Sequence, residues 1–139
     1  MIASAEWKQG TTQFNGRSES GHNICFDTDA AHTAGPSPME VVLAALCSCT
    51  SVDVVSILEK KREPIAGLVV SAEAQQSPAP PRIFTHIRLI YRVSGNVSKK
   101  AMEDAVSLSK NKYCSVSKML EKSATIVFAI EYADGEPAE

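Results

Sequence analysis

The chain has 139 residues, a formal net charge of −2, four cysteines and a hydrophobic share of 44%. That length supports one domain with a real core. The near-balance of charge excludes both the basic excess of a nucleic-acid binder and the acidic run of a solvating tail.

The N-terminal MIASAEWKQG places Glu6 and Trp7 where a secretory signal needs an unbroken apolar stretch, so no signal peptide is expected. Residues 2–8 and 22–27 have weak β character, interrupted by the turn-rich pairs Asn15-Gly16 and Ser20-Gly21. The front of the chain therefore reads as short strands or hairpins. A loop from Asp29 to Gly35 feeds Ser37-Pro38-Met39-Glu40, a capping box with proline at the first helical position. The helix that follows should run from Pro38 to about Arg62. Its first three turns are apolar on every side, which predicts burial rather than a surface position. The apolar run Val41–Cys47 is too short to span a bilayer before Asp53 and Glu59-Lys60-Lys61-Arg62, so no membrane association is expected.

After Glu63-Pro64 the period changes from helical to alternating. Leu68, Val70, Ala72 and Ala74 mark one strand, and Ser77-Pro78-Ala79-Pro80-Pro81 makes a stiff connection. Thr85, Ile87, Leu89, Tyr91 and Val93 then alternate with Phe84, His86, Arg88, Ile90 and Arg92, the pattern of a half-exposed strand in an antiparallel sheet. Ser98 caps a helix with Lys99–Glu103 and Lys100–Asp104 at salt-bridge spacing. A shorter helix is expected from Ser115 to Lys122. Ile126, Phe128, Ile130 and Tyr132 mark the closing strand of a single domain over 1–133, and residues 134–139 read as a flexible tail.

The cysteines are the residues with chemistry to offer. Only the thiolate is a good nucleophile, so placement decides whether each one reacts or packs. Cys49 lies in the apolar helix, and Cys114 stands just before a helix start beside Lys110 and Lys112, an arrangement that favours its thiolate. Cys47 and Cys49 are two residues apart, so their side chains point to roughly opposite faces of one helix. That spacing suits neither a C-x-C bridge nor a zinc site. Cys47 reads as core packing and Cys25 as strand filler, while His22, His32 and His86 read as solvated or structural. Four cysteines without small-domain spacing point to thiols that are reduced at rest, and cytoplasmic residence is the default.

The segments GPSPMEVVLAALCSCTSVDVVSIL and KYCSVSKMLEKSATI together resemble the OsmC/Ohr family, named for osmotically inducible protein C and organic hydroperoxide resistance protein. The SPME start, the DVVSIL end, the FTHI strand and the KYCSV segment are especially similar to its small YhfA-like branch. The resemblance covers nearly the whole chain. It implies an α+β fold in which antiparallel sheets wrap around long central helices in an intertwined homodimer. It also implies a thiol peroxidase for organic hydroperoxides, with Cys49 matching the attacking cysteine and Cys114 the resolving one. Such a cycle passes through a sulfenic acid and a disulfide. It uses no metal, flavin or haem, the cofactor being the cysteine pair itself, with an external dithiol or lipoyl-type reductant.

The family's peroxidases support their thiolate with an N-terminal arginine and a glutamate at the start of the long helix. Arg17 falls in the corresponding stretch, although NGRSES is not the usual arginine motif. Glu40 comes two residues after Pro38, where those enzymes place it directly after the proline. Asp53, four residues beyond Cys49, shares its helix face and is a third candidate for support. Two readings follow. One is a dithiol-dependent peroxidase at a dimer interface. The other is a non-catalytic dimer that binds a small apolar ligand or senses oxidants through its thiols.

Overall fold

Three short strands, β1 (Ala3–Trp7), β2 (Gln13–Ser18) and β3 (Asn23–Asp27), form an antiparallel sheet in that order in the computed structural model, which describes residues 1–137. The pair Asn15-Gly16 is not a turn, as its composition predicts, but lies in the middle of β2. Gly16 stands opposite Ala5 on one side and Ile24 on the other. Here glycine is needed for space. A Cβ at Gly16 would sit 2.5 Å from Cε2 of Phe26, so the ring occupies the room a side chain would take. The second pair does turn the chain: Gly21 has φ +91° and its N–H donates to the Ser18 carbonyl between β2 and β3.

At the end of β3, Asp27 organises the following loop. Its carboxylate accepts from the Thr12 hydroxyl at 2.7 Å and from the N–H groups of Asp29 and Ala34 at 3.0 Å each. These bonds, Thr12's foremost, hold the Asp27 carboxyl below its ordinary pKa.

The chain divides into two compact units, Met1–Leu43 and Ala44–Glu139. Helix α1 (Pro38–Lys60) begins in the first and continues into the second. The capping box forms as expected: Ser37 N–H donates to Glu40 Oε1 at 2.9 Å, and Glu40 N–H donates to Ser37 Oγ at 3.2 Å. All-round burial of α1 is not met within one chain. Only the stripe Leu46, Thr50, Val54 and Leu58, at i, i+4, i+8 and i+12, is buried, while Val52 is 65% exposed. The apolar stretch also runs well past Cys47, and by length and composition alone α1 is long enough to cross a membrane.

The second unit contains β4 (Ile65–Gln76), β5 (Phe84–Gly95), α2 (Lys99–Leu108), α3 (Ser115–Leu120) and β6 (Thr125–Tyr132), with sheet order β4-β5-β6. The central strand β5 buries Ile87, Leu89, Tyr91 and Val93 and exposes His86, Arg88 and Arg92, as the alternation predicts, but Phe84 and Ile90 on the alternate positions are buried as well. Each such side chain contributes about 1.5–3 kcal/mol on burial. The β4–β5 pair is antiparallel, but β5–β6 is parallel, with Leu89 opposite Phe128. The direction follows from the connection. A return through α2 and α3 is a crossover, which brings the chain back to start its strand at the same end. Ser98 caps α2 by accepting from Ala101 N–H at 3.2 Å, and Asp104 pairs with both Lys100 and Lys61 at 3.3 Å. Beyond β6, Asp134 accepts from the Gly95 N–H at 2.8 Å and Glu136 pairs with Lys99 at 2.7 Å. Residues 138 and 139 of the expected tail lie outside the described residues.

Candidate active site

Helix α2 does not stop at Leu108. It widens into a π turn, Ser109–Tyr113, closed by a 2.8 Å hydrogen bond from the Cys114 N–H to the Ser109 carbonyl. Single π turns are uncommon and concentrate at functional sites. Cys114 leaves this turn with φ −74° and ψ 104°, the extended backbone of a helix N-cap, and its Sγ accepts from the Ser117 N–H at 3.4 Å. Cys49 is near enough to act electrostatically on the Cys114 thiol. Two cysteines 65 positions apart in sequence are thus neighbours inside the second unit.

The expectation that Cys114 is poised as a thiolate is not met. Burial, the largest effect, pushes its thiol pKa up, and the adjacent Cys49 pushes the same way, outweighing the lowering by the Ser117 N–H. Cys114 is 0% exposed, and the two lysines are engaged elsewhere. Lys110 Nζ lies 5.5 Å from the centre of the Phe128 ring and Lys112 Nζ lies 5.3 Å from that of Tyr113. Cys47, half-buried, is likewise pushed up by burial, and Cys25 is exposed on β3 of the first unit.

A chain of hydroxyls crosses the unit through Thr50, the residue next to Cys49. Tyr91 OH is 2.6 Å from Thr50 Oγ1, Thr50 Oγ1 is 2.8 Å from Ser109 Oγ, and Ser109 Oγ donates to Asp53 Oδ2 at 2.8 Å. The direction of the whole chain follows from its end. A carboxylate only accepts, so the one proton of Ser109 goes to Asp53, that of Thr50 to Ser109, and that of Tyr91 to Thr50. Tyr91 is fully buried, and burial pushes its phenol up to about 12. Sequence reasoning singled out Asp53 but missed Thr50, Tyr91 and Ser109 as members of one group. A buried threonine on an otherwise apolar stripe is the only local signal they leave.

The remaining candidates, Arg17 and Glu40, belong to the first unit. Arg17 is exposed on β2 and lines a concavity of about 480 Å³ on the first sheet with Gly16, Ile24 and Phe26. Glu40 serves the helix cap, and the Ser37 N–H and hydroxyl hold its carboxyl below the ordinary value, while His32 Nε2 stands 3.7 Å away. In the second unit a groove of about 460 Å³ is lined by Val52, Asp53, Ile57, Leu108 and Tyr113, and neither Cys49 nor Cys114 is among its lining residues. No three His, Cys, Asp or Glu side chains gather into a metal site among the described residues.

Residues 30–129 match the family model described as OsmC-like protein. The chain belongs to the OsmC-like family. It is 43% identical to Protein YhfA of Escherichia coli K12 over 132 residues, covering 94% of this chain and 97% of that one. Among solved structures it resembles a hypothetical protein from Aquifex aeolicus VF5, with 30% identity, a TM-score of 0.81, and coverage of 94% of this chain and 96% of that one. An organic hydroperoxide resistance protein OsmC from Legionella pneumophila has the same fold, with a TM-score of 0.71 at 13% identity over 94% of this chain and 95% of that one. Two three-stranded sheets with a long helix and two shorter ones make this chain's α+β architecture that of the OsmC-like family.

Proposed function

We propose that this OsmC-like protein is a thiol-dependent peroxidase that reduces organic hydroperoxides, with Cys49 attacking and Cys114 resolving. The observation that supports the reading is that Cys49, 65 positions away in sequence, is near enough to raise the Cys114 thiol pKa. The name of the Legionella pneumophila structure, an organic hydroperoxide resistance protein of the same fold, supports the substrate class.

The Cys49 thiolate attacks the O–O bond of ROOH and takes one oxygen to become a sulfenic acid. The leaving alkoxide picks up a proton and departs as ROH. The Cys114 thiol then condenses with the sulfenic acid, forming the S–S bond and releasing water. An external dithiol, of lipoyl or similar type, returns both sulfurs to thiols by exchange and is itself oxidised to a disulfide. A resolving cysteine that holds its proton at rest suits this division of labour, because that proton leaves in the water. It also keeps a second negative charge away from Cys49.

The same reading makes the active form a homodimer, since the apolar flank of α1 that one chain leaves open needs a cover, and sets it in a thiol-reducing compartment such as the cytoplasm. The engagement of Glu40 in the helix cap favours the second reading, a non-catalytic dimer that binds an apolar ligand or senses oxidants. Turnover separates the two. With dithiothreitol as reductant, the protein should consume cumene hydroperoxide faster than hydrogen peroxide, and Cys49→Ser should abolish this. A wild-type rate no higher than that of the mutant would leave the non-catalytic reading in its place.

A further inference from the structure

We propose that Thr50, Asp53 and Ser109 are positioning residues that clamp α1 to the π turn and so hold Cys49 and Cys114 in register for disulfide formation. The inference rests on the thiol-pair reading above and assigns a role to groups outside the thiol chemistry itself. Ser109 works in two directions at once. Its hydroxyl bonds Thr50 and Asp53 of α1, at 2.8 Å each, and its carbonyl accepts the Cys114 N–H at 2.8 Å. Thr50 is the residue next to Cys49, and Asp53 is four positions beyond it. The connection between the sulfur-bearing segments therefore runs from α1 through one buried serine to the backbone of Cys114.

The π turn gives this clamp its point. Each residue of an α-helix advances the chain by about 100°, so the extra residue of a π turn re-aims everything that follows. Without a fixed anchor such a turn has little to hold its register. Ser109 is the first residue of the turn and is fully buried, and the bond to Asp53 is charge-assisted, which makes it the stronger kind. Tyr91 completes the chain by donating to Thr50, which leaves the Thr50 proton to Ser109. Fixing two reacting groups in this way raises their effective concentration, and small misplacements are costly.

The test is the equilibrium of the Cys49–Cys114 pair with glutathione buffers, quantified as the cross-linked peptide in the full chain. In this exchange oxidised glutathione takes two electrons from the pair and leaves as two thiols while the bridge forms, so no peroxide is involved. Ser109→Ala should lower the equilibrium constant about tenfold or more. Asp53→Ala, at the half-exposed end of the chain, should lower it several-fold and carries the test if Ser109→Ala does not fold. Asp53→Asn, which keeps an acceptor but loses the charge, should fall between Asp53→Ala and the wild type. Val106→Ala removes a buried side chain of α2 but keeps the backbone carbonyl that accepts the Ser109 N–H, and should lower thermal stability while leaving the equilibrium unchanged. The inference is overturned if Ser109→Ala and Asp53→Ala keep the wild-type constant, if Val106→Ala lowers it equally, or if the wild type forms no bridge. A wild type that forms the bridge but turns over no hydroperoxide would remove the peroxidase reading and leave the clamp standing.

Discussion

At the scale of single residues, burial decides what each polar group can do. Cys114 sits at a helix start, where a thiolate is ordinarily favoured, yet enclosure and the neighbouring Cys49 keep it protonated. Tyr91 shows the same competition: loss of solvent outweighs its hydrogen bond to Thr50 and pushes it up to about 12. Because the folded value lies above the unfolded one of about 10, the fold binds this proton more tightly than the unfolded chain does. The stability tied to Tyr91 is therefore complete below pH 10 and is lost as pH rises from there to about 12. Thermal midpoints of wild type and Tyr91→Phe should accordingly keep a constant gap up to pH 10 and converge above it. A gap that stays constant through pH 12 would contradict the burial of the phenol. The motifs in the sequence singled out Cys49 and Cys114, the two thiols of the proposed site. The hydroxyl chain was not legible there, because its links join residues 41, 56 and 59 positions apart, and no local pattern records such a pairing.

At the scale of elements, legibility tracked how local the cause was. The capping box of α1 and the Ser98 cap of α2 are complete within four residues, and both form as read. The alternation of β5 was equally plain. Strand β2 was hidden because Asn15-Gly16 has turn composition while its true determinant is the Phe26 ring on the neighbouring strand. The π turn depends on packing across the unit and leaves no sequence period, while the parallel direction of β6 follows from the helical crossover that joins it to β5. Helix α1 has apolar residues all round but buries one stripe, leaving Val52 65% exposed. Covering that side chain in a second copy would contribute up to about 1.5–3 kcal/mol per chain. The protein should therefore sediment as a dimer at micromolar concentration, and Val52→Lys should shift it toward a folded monomer. A wild-type monomer under those conditions would contradict the homodimer.

At the scale of the whole molecule, the family fold and the peroxide chemistry are separate claims. Membership in the OsmC-like family rests on the match over residues 30–129 and on 43% identity to a relative of nearly equal length. The proposed chemistry rests on Cys49 of α1 and Cys114 after the π turn acting as a pair, and it is tested most directly by following those sulfurs through one turnover. One equivalent of cumene hydroperoxide should join Cys49 to Cys114 as a cross-linked peptide pair, with Cys25 and Cys47 left as free thiols. In Cys114→Ser the same treatment should drive Cys49 to sulfinic and sulfonic acid. A dominant bridge through Cys47, or no oxidation at Cys49 at all, would contradict the account.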